Sequence, residues 1–214
     1  MVPREVNTAQ VGIVNLEIGN LRSVSNAVDS FGHDYRIVDS ADDIGSLTHL
    51  ILPGVGSFHT AMRRMNEKGL YNPIRDFVSS GRPVLGVCLG MQLLGSYGEE
   101  GEDTGGLALI PGEVRKFDSR VVEQIPHVGW NSVELRTNHP VFKDVRTGVD
   151  FYFVHSYHFK PTRDECVLGV TDCGEKFVSA VGHENVVGFQ FHPEKSQANG
   201  LRLLDNFCGW DGRC

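Results

Sequence analysis

Cys88 stands between Gly86 and Gly90, where the apolar run 84–87 meets a stretch rich in good helix formers, 91–94. A nucleophilic side chain with glycine two residues to either side is the pattern of a nucleophile elbow: a strand, one strained residue, then a helix. The turn is too tight for Cβ atoms on its flanks. A thiol held this way projects from the end of a buried strand into a cleft. It also sits at a helix N-terminus, where partial positive charge favours the thiolate. The backbone N–H of Leu89, the next residue, is placed to hold an oxyanion. For a cysteine alone the plainer reading is a buried Cys in a strand-to-helix turn; the paired glycines favour the chemical one.

A thiol nucleophile wants a base, and the base wants an orienting group. His192-Pro193-Glu194 follows the apolar run 186–191. Pro193 biases His192 toward an extended conformation. In extended chain, residues two apart face one side, so the imidazole and the Glu194 carboxylate can lie together. His-x-Glu alone is a weak signal; joined to the elbow it reads as the rest of a triad. Pro53-Gly54-Val55-Gly56 ends another expected parallel strand, and ligands in such sheets bind beyond the strands' carboxyl ends. There the N–H of Val55 can face that of Leu89 and complete an oxyanion hole. Taken alone, the same tetrapeptide reads equally well as an ordinary tight turn.

The elements that must position these residues change texture along the chain. Strands are expected over 11–16, 35–38, 48–52 and 83–88, and helices over 21–31, 58–65 and 73–78. This alternation argues for an α/β fold: an open, mostly parallel sheet with helices on both faces. Residues 98–106 form a glycine-rich acidic loop. Beyond it strands dominate, over 113–117, 133–136, 151–159, 167–171, 177–181 and 186–191. They predict an antiparallel extension in the second half. A last helix is expected over 199–207. Residues 1–10 read as an N-terminal tail, 11–208 as a single domain and 209–214 as a C-terminal tail.

Composition bounds the function. With 214 residues, 40% of them hydrophobic and 22% charged, the chain suits one soluble domain with ample core. A net charge of −7 argues against a nucleic-acid surface. No apolar run approaches a membrane span, and the first residues are too polar for a signal peptide. The five cysteines are an odd number without CxxC spacing, which points to free thiols in a reducing cytoplasm and to no metal.

Together, Pro53-Gly54-Val55-Gly56, Gly86-Val87-Cys88-Leu89-Gly90-Met91-Gln92 and Gly188-Phe189-Gln190-Phe191-His192-Pro193-Glu194-Lys195 resemble the signatures of class I, triad-type glutamine amidotransferases. Three more stretches narrow the likeness: Gly19-Asn20-Leu21-Arg22-Ser23-Val24, Pro126-His127-Val128-Gly129-Trp130-Asn131 and Phe151-Tyr152-Phe153-Val154-His155-Ser156-Tyr157. With them the chain, from about Val11 to Phe207, resembles the branch of glutaminase subunits that serve imidazole glycerol phosphate synthase.

The resemblance implies hydrolysis of L-glutamine to glutamate and ammonia without a cofactor. Cys88, His192 and Glu194 would be the catalytic triad, and Val55 and Leu89 the oxyanion hole. Gly54, Gly56, Gln92, Glu100, Tyr152 and Ser156 would help hold substrate. Glu100 suits the ammonium of a free amino acid, though it also reads as one charge of a solvated acidic loop. The implied partner is a (β/α)₈-barrel cyclase/synthase subunit, in a heterodimer, that consumes the ammonia in histidine biosynthesis. Asn20, Ser23, Trp130 and Lys195 are its implied contacts. Trp130 alone reads also as a core aromatic, and Lys195 as a solvated lysine.

One departure stands out. Asn15-Leu16-Glu17 replaces the usual Asp-Tyr-Gly before the Gly-Asn turn. Close relatives feed ammonia to amidation of bacterial surface sugars instead, and the motifs do not separate the two acceptors. A stand-alone thiol hydrolase on the same sheet and a catalytically silent binding subunit are the readings from other classes. The His192-Pro193-Glu194 motif and the Trp130 segment oppose the first, and the intact triad opposes the second.

Overall fold

Parallel strands build the first half around β1 (Gln10–Val14), buried along Val11–Val14. β2 (Asp34–Val38) and β3 (His49–Gly54) flank it, both parallel to it. β4 (Val84–Cys88), buried throughout, runs parallel beside β3. This is a computed structural model, and it describes residues 9–19 and 21–213. Asn20, expected at the partner interface, lies outside the described residues, as do Met1–Thr8 of the expected tail and Cys214.

Side chains alternate across the sheet and feed two cores. Ile13, Ile51, Leu85 and Val87 face one core, which α1 (Leu21–Asp29) and α5 (Gln197–Cys208) close with Val24, Val28, Leu203 and Phe207. Val14, Leu50, Leu52 and Val84 face the other, closed by α2 (Phe58–Glu67), α3 (Tyr71–Ser79) and α4 (Leu89–Leu93) through Phe58, Met62, Phe77 and Met91. The apolar spacing that predicts these helices is the spacing that fills the cores.

The second half contributes β5 (Tyr97–Gly98), β6 (Thr104–Gly105), β7 (Gly112–Lys116), β8 (His127–Leu135), β9 (Val149–His155), β10 (Tyr157–Pro161), β11 (Val167–Asp172), β12 (Lys176–His183) and β13 (Val186–Phe189). The sheet order is β2-β1-β3-β4-β13-β12-β10-β7-β5-β6. β13 lies parallel to β4, while β12, β10 and β7 follow antiparallel. The expected α/β sheet with an antiparallel extension is the observed one. Its functional joint is β13, a late strand inserted beside the elbow strand.

Four expectations need correction. The strand expected over 133–136 begins at His127, because it pairs along its length with β9. The strand expected over 151–159 breaks at Ser156, where the chain leaves β8 as a partner and joins β7 and β12. The acidic loop 98–106 holds the short antiparallel pair β5–β6. The segment after Cys208 is no loose tail: Trp210 is buried, its ring 4.9 Å from that of His139, and its carbonyl bonds His49 Nε2 at 2.9 Å. An indole that large stabilises by removing apolar surface from water.

Among the described residues no helix is long and apolar enough to cross a membrane. Among them, too, no cluster of His, Cys, Asp and Glu is built to hold a metal.

Candidate active site

Cys88 ends β4 and caps α4 with φ 54° and ψ −109°. That is a strained conformation for an L-residue, held by the strand behind it and the helix ahead. Both glycines are required by contact. A Cβ on Gly90 would sit 1.6 Å from the Leu52 carbonyl oxygen, and one on Gly86 would sit 2.5 Å from that of Gly90. As the first residue of α4, Leu89 has an N–H with no carbonyl to bond within the helix.

The sheet brings the other expected pieces to this point. Gly54, the last residue of β3, is the register partner of Cys88. The next residue, Val55, is exposed, and Gly56 has φ 101°. A cavity of about 260 Å³ opens there, lined among others by Val55, Gly56, Cys88, Leu89, Gln92 and Glu100. Ser156 and Tyr157 line its far side, with Val154 and His155 of β9.

β13 leads to His192, the expected base. His192 follows it by three residues and bonds Glu194 Oε1 through Nδ1 at 2.8 Å. The two side chains are only 3% and 4% exposed. Burial pulls the imidazole down, but Cys88 and Glu194 together push it up to about 9. Nδ1 is engaged by Glu194, so the free ring nitrogen is Nε2, buried and without a hydrogen-bond partner.

Glu100 is partly buried, and its Oε2 accepts the Phe58 N–H at 3.2 Å, at the start of α2. Burial raises its carboxyl above the ordinary value, partly offset by that bond. An incoming ammonium would favour the charged form.

Other expected residues fall elsewhere. Tyr152 does not line the cavity. Its ring lies 6.1 Å from that of Trp130 and has the Lys195 ammonium 5.8 Å away, while its carbonyl accepts the His192 N–H at 2.9 Å. Trp130 is 48% exposed on β8, which sets aside the core-aromatic reading. Lys195 is exposed in the turn after His192, and Ser23 is half-buried in α1.

Sequence reasoning missed a polar chain behind the cavity. His155 Nδ1 bonds the Tyr157 carbonyl at 2.8 Å, and its Nε2 meets His127 Nδ1 at 3.1 Å. Asn131 Nδ2 approaches His127 Nε2 at 3.3 Å. The Tyr157 carbonyl only accepts, so His155 carries its proton on Nδ1 and accepts at Nε2. Burial holds His155 neutral, down to about 3, and lowers His127 as well. The signal was present in the sequence: two histidines, each inside a quoted motif, with no chemistry assigned to them.

The departure at Asn15-Leu16-Glu17 falls in the loop after β1. Glu17, at φ 56°, pairs with Arg64 of α2 and with Lys68 Nζ at 3.2 Å. Lys68 also reaches Asp39 at 3.2 Å. Beyond Glu17, a Cβ on Gly19 would stand 3.4 Å from the Gly54 Cα and the Val55 nitrogen. The loop therefore packs on the peptide expected to form half of the oxyanion hole.

A strained cysteine at a strand–helix joint, a buried His–Glu pair in the turn after the neighbouring parallel strand, and a glycine loop in register come together at one end of an open α/β sheet. Residues 13–209 match the family model for glutamine amidotransferase class-I, and the chain belongs to that family. It is 42% identical over 197 residues to the imidazole glycerol phosphate synthase subunit HisH of Moorella thermoacetica, covering 92% of this chain and 93% of the relative. It is 44% identical over 201 residues to the subunit of the same name from Wolinella succinogenes, covering 92% and 98%. Among solved structures, PurLQS from Thermotoga maritima aligns with a TM-score of 0.75 at 17% identity, over 94% of this chain and 98% of that one. That likeness is one of fold.

Proposed function

We propose that this chain is the glutaminase subunit of an imidazole glycerol phosphate synthase. It hydrolyses L-glutamine and hands the ammonia to a (β/α)₈-barrel synthase subunit, in the cytoplasm and without a cofactor. The observation that carries the reading is the buried His192–Glu194 pair in the turn after β13, interacting with Cys88 at the end of the parallel neighbour β4. The names of the curated relatives support the acceptor. The described cysteines are all free, which supports a reducing compartment.

The chemistry follows from the placement. The Cys88 thiolate attacks the side-chain amide carbon, and the carbonyl oxygen takes up negative charge between the N–H groups of Leu89 and Val55. His192, protonated at Nε2, gives that proton to the departing nitrogen. The C–N bond breaks, ammonia leaves and a γ-glutamyl thioester remains. Water then loses a proton to His192 and attacks the thioester. The C–S bond breaks, glutamate is released and the thiolate returns. Glu194 holds the imidazole by its Nδ1–H. Glu100 receives the substrate ammonium, and the Gly54–Gly56 loop, Gln92 and Ser156 shape the wall around it. Tyr152 acts through its carbonyl, which fixes the His192 backbone. Trp130, Lys195 and Ser23 belong to the barrel-facing side.

Cys88→Ala tests the reading. The variant is expected to fold and to release no ammonia from glutamine. An electrophilic glutamine analogue is expected to label Cys88 and spare Cys166, Cys173, Cys208 and Cys214. Labelling at Cys166 or Cys208 instead would overturn the assignment.

A further inference from the structure

β13 and β4 run parallel, with Gly188 opposite Gly86 and Phe189 opposite Val87. One residue further on, the same register sets Gln190 beside Cys88. Gln190 is fully buried, and its Nε2 lies 3.8 Å from Cys88 Sγ. A buried primary amide must find partners for its donors and its acceptor. Its Oε1 accepts from Gln92 Nε2 at 3.1 Å, and that same nitrogen donates to the Tyr157 carbonyl at 3.0 Å.

These contacts leave one orientation for both amides. A carbonyl only accepts, so the Gln92 atom facing Tyr157 is the nitrogen. Both protons of that nitrogen are then committed, one to Tyr157 and one to Gln190. The Gln190 atom facing Gln92 is its oxygen, and its nitrogen must turn toward Cys88. The sulfur therefore meets a donor, fixed in polarity by a backbone carbonyl two amides away. The His155 Nδ1–H on the same carbonyl holds that end in place.

We propose that Gln190 is a further catalytic residue, which donates its Nε2–H to the Cys88 sulfur and holds the thiolate aimed into the cavity, with Gln92 as the positioning residue that sets the polarity of its amide. The inference rests on Cys88 being the nucleophile. A neutral thiol gains little from an N–H at this distance, whereas an anion gains roughly twice as much from such a bond. The contact thus acts when charge forms on sulfur. The titratable group that interacts with this sulfur is His192, in the turn after β13; Glu100 and His155 line the same cavity, and burial holds His155 neutral. Gln190 adds the one uncharged donor from inside the sheet. It gives the sulfur a donor that does not depend on the protonation of His192.

The test uses iodoacetamide, which forms a C–S bond with a thiolate and releases iodide. Alkylation of Cys88 is followed by peptide mass spectrometry across pH in the full chain. In Gln190→Met, which keeps length and removes both donors, the rate at pH 7 is expected to fall about tenfold. The pH of half-maximal alkylation is expected to rise by about one unit, the tenfold worth of one hydrogen bond to a charged group. Gln92→Met, which leaves the Gln190 donors in place but frees the amide to turn, is expected to move the same midpoint in the same direction by less. A residue that only packs would alter melting temperature and leave the midpoint where it is, so an unmoved midpoint in Gln190→Met overturns the inference. If that variant does not fold, an unmoved midpoint in Gln92→Met does so alone. The glutaminase reading fails separately: a shifted midpoint in Gln190→Met, together with no ammonia release from glutamine by the wild-type chain and its barrel partner, would overturn that reading and leave the Gln190 donor to the Cys88 thiolate standing.

Discussion

His192 Nδ1 and Glu194 Oε1 stand 2.8 Å apart, two residues from each other along the chain. Pro193 between them begins a short 3₁₀ turn, which brings both side chains to one side. The pair is local, so its geometry survives small shifts of the sheet. Removing the imidazole deletes the group that moves protons, whereas an amide in place of the carboxylate leaves base and nucleophile present. Glu194→Gln is therefore expected to retain ten- to about a hundredfold more kcat than His192→Ala. Wild-type kcat in Glu194→Gln, at saturating glutamine and partner, would exclude a catalytic role for it.

The same pair sets a pH dependence. His192 has its pKa raised from 6.5 to about 9 in the folded protein. The proton is thus bound more tightly when folded, and the stability it contributes is complete below about pH 6.5. That contribution is lost as pH rises toward 9. The difference in urea midpoint between wild type and His192→Ala should shrink across this window. Cys88 is one of the two groups that raise the imidazole, so Cys88→Ala should move the His192 titration, followed by NMR, to lower pH. A titration unchanged in Cys88→Ala would show that the two side chains do not sense each other.

Glu17 illustrates two opposing local terms. Its φ of 56° is strained for any residue with a Cβ, yet its carboxylate ties the loop to Arg64 and Lys68. The carboxylate is about half exposed, so each ion pair is worth little. Glu17→Ala loses the pairs and keeps the strain, while Glu17→Gly loses the pairs and relieves it. Glu17→Gly is expected to be about 1 kcal/mol more stable than Glu17→Ala. Equal stabilities in urea would mean that the backbone, not the ion pairs, is indifferent to the side chain here.

Much of the site was legible because its chemistry is written in short local patterns. Gly86, Cys88 and Gly90 announce the elbow since only glycine tolerates those approaches, and His192-Pro193-Glu194 announces a pair by its short spacing, although a 3₁₀ turn and not the expected extended chain brings the two side chains to one side. The parallel half was legible from alternating strand and helix periods. What the sequence did not disclose depends on which strands become neighbours. That β13 would lie parallel to β4 is a long-range choice, and it alone places Gln190 against Cys88. The break at Ser156 was hidden because apolar residues continue through it, and only the change of pairing partner marks it. His127 and His155 were visible as residues, but their shared acceptor, the Tyr157 carbonyl, has no sequence signature. Tyr152 was assigned to substrate by likeness, and its ring lies with Trp130 because β8 and β9 pair there in register.

The isolated chain is expected to be a poor glutaminase that its barrel partner and the partner's ligand switch on. Two N–H groups must point at one oxygen. That of Leu89 is fixed by α4, whereas Val55 follows Gly54 and precedes Gly56 at φ 101°, so its peptide has room to turn. A peptide turned the wrong way presents a carbonyl where a donor is needed, and losing one such donor costs about 3–4 kcal/mol, on the order of 10²–10³ in rate. The Gly19 loop packs against this peptide on one side, and the exposed Val55 side chain leaves the other side open to a docking surface. A partner seated near Trp130 and Lys195 can favour the productive orientation, a population shift that couples the two sites. Steady-state ammonia release is to be compared for the chain alone, with the barrel subunit, and with the barrel subunit plus its ribonucleotide ligand. A rise of about 10²-fold or more in the last case is the expected result. Full turnover by the chain alone would sink the idea and move the assignment toward a stand-alone thiol hydrolase.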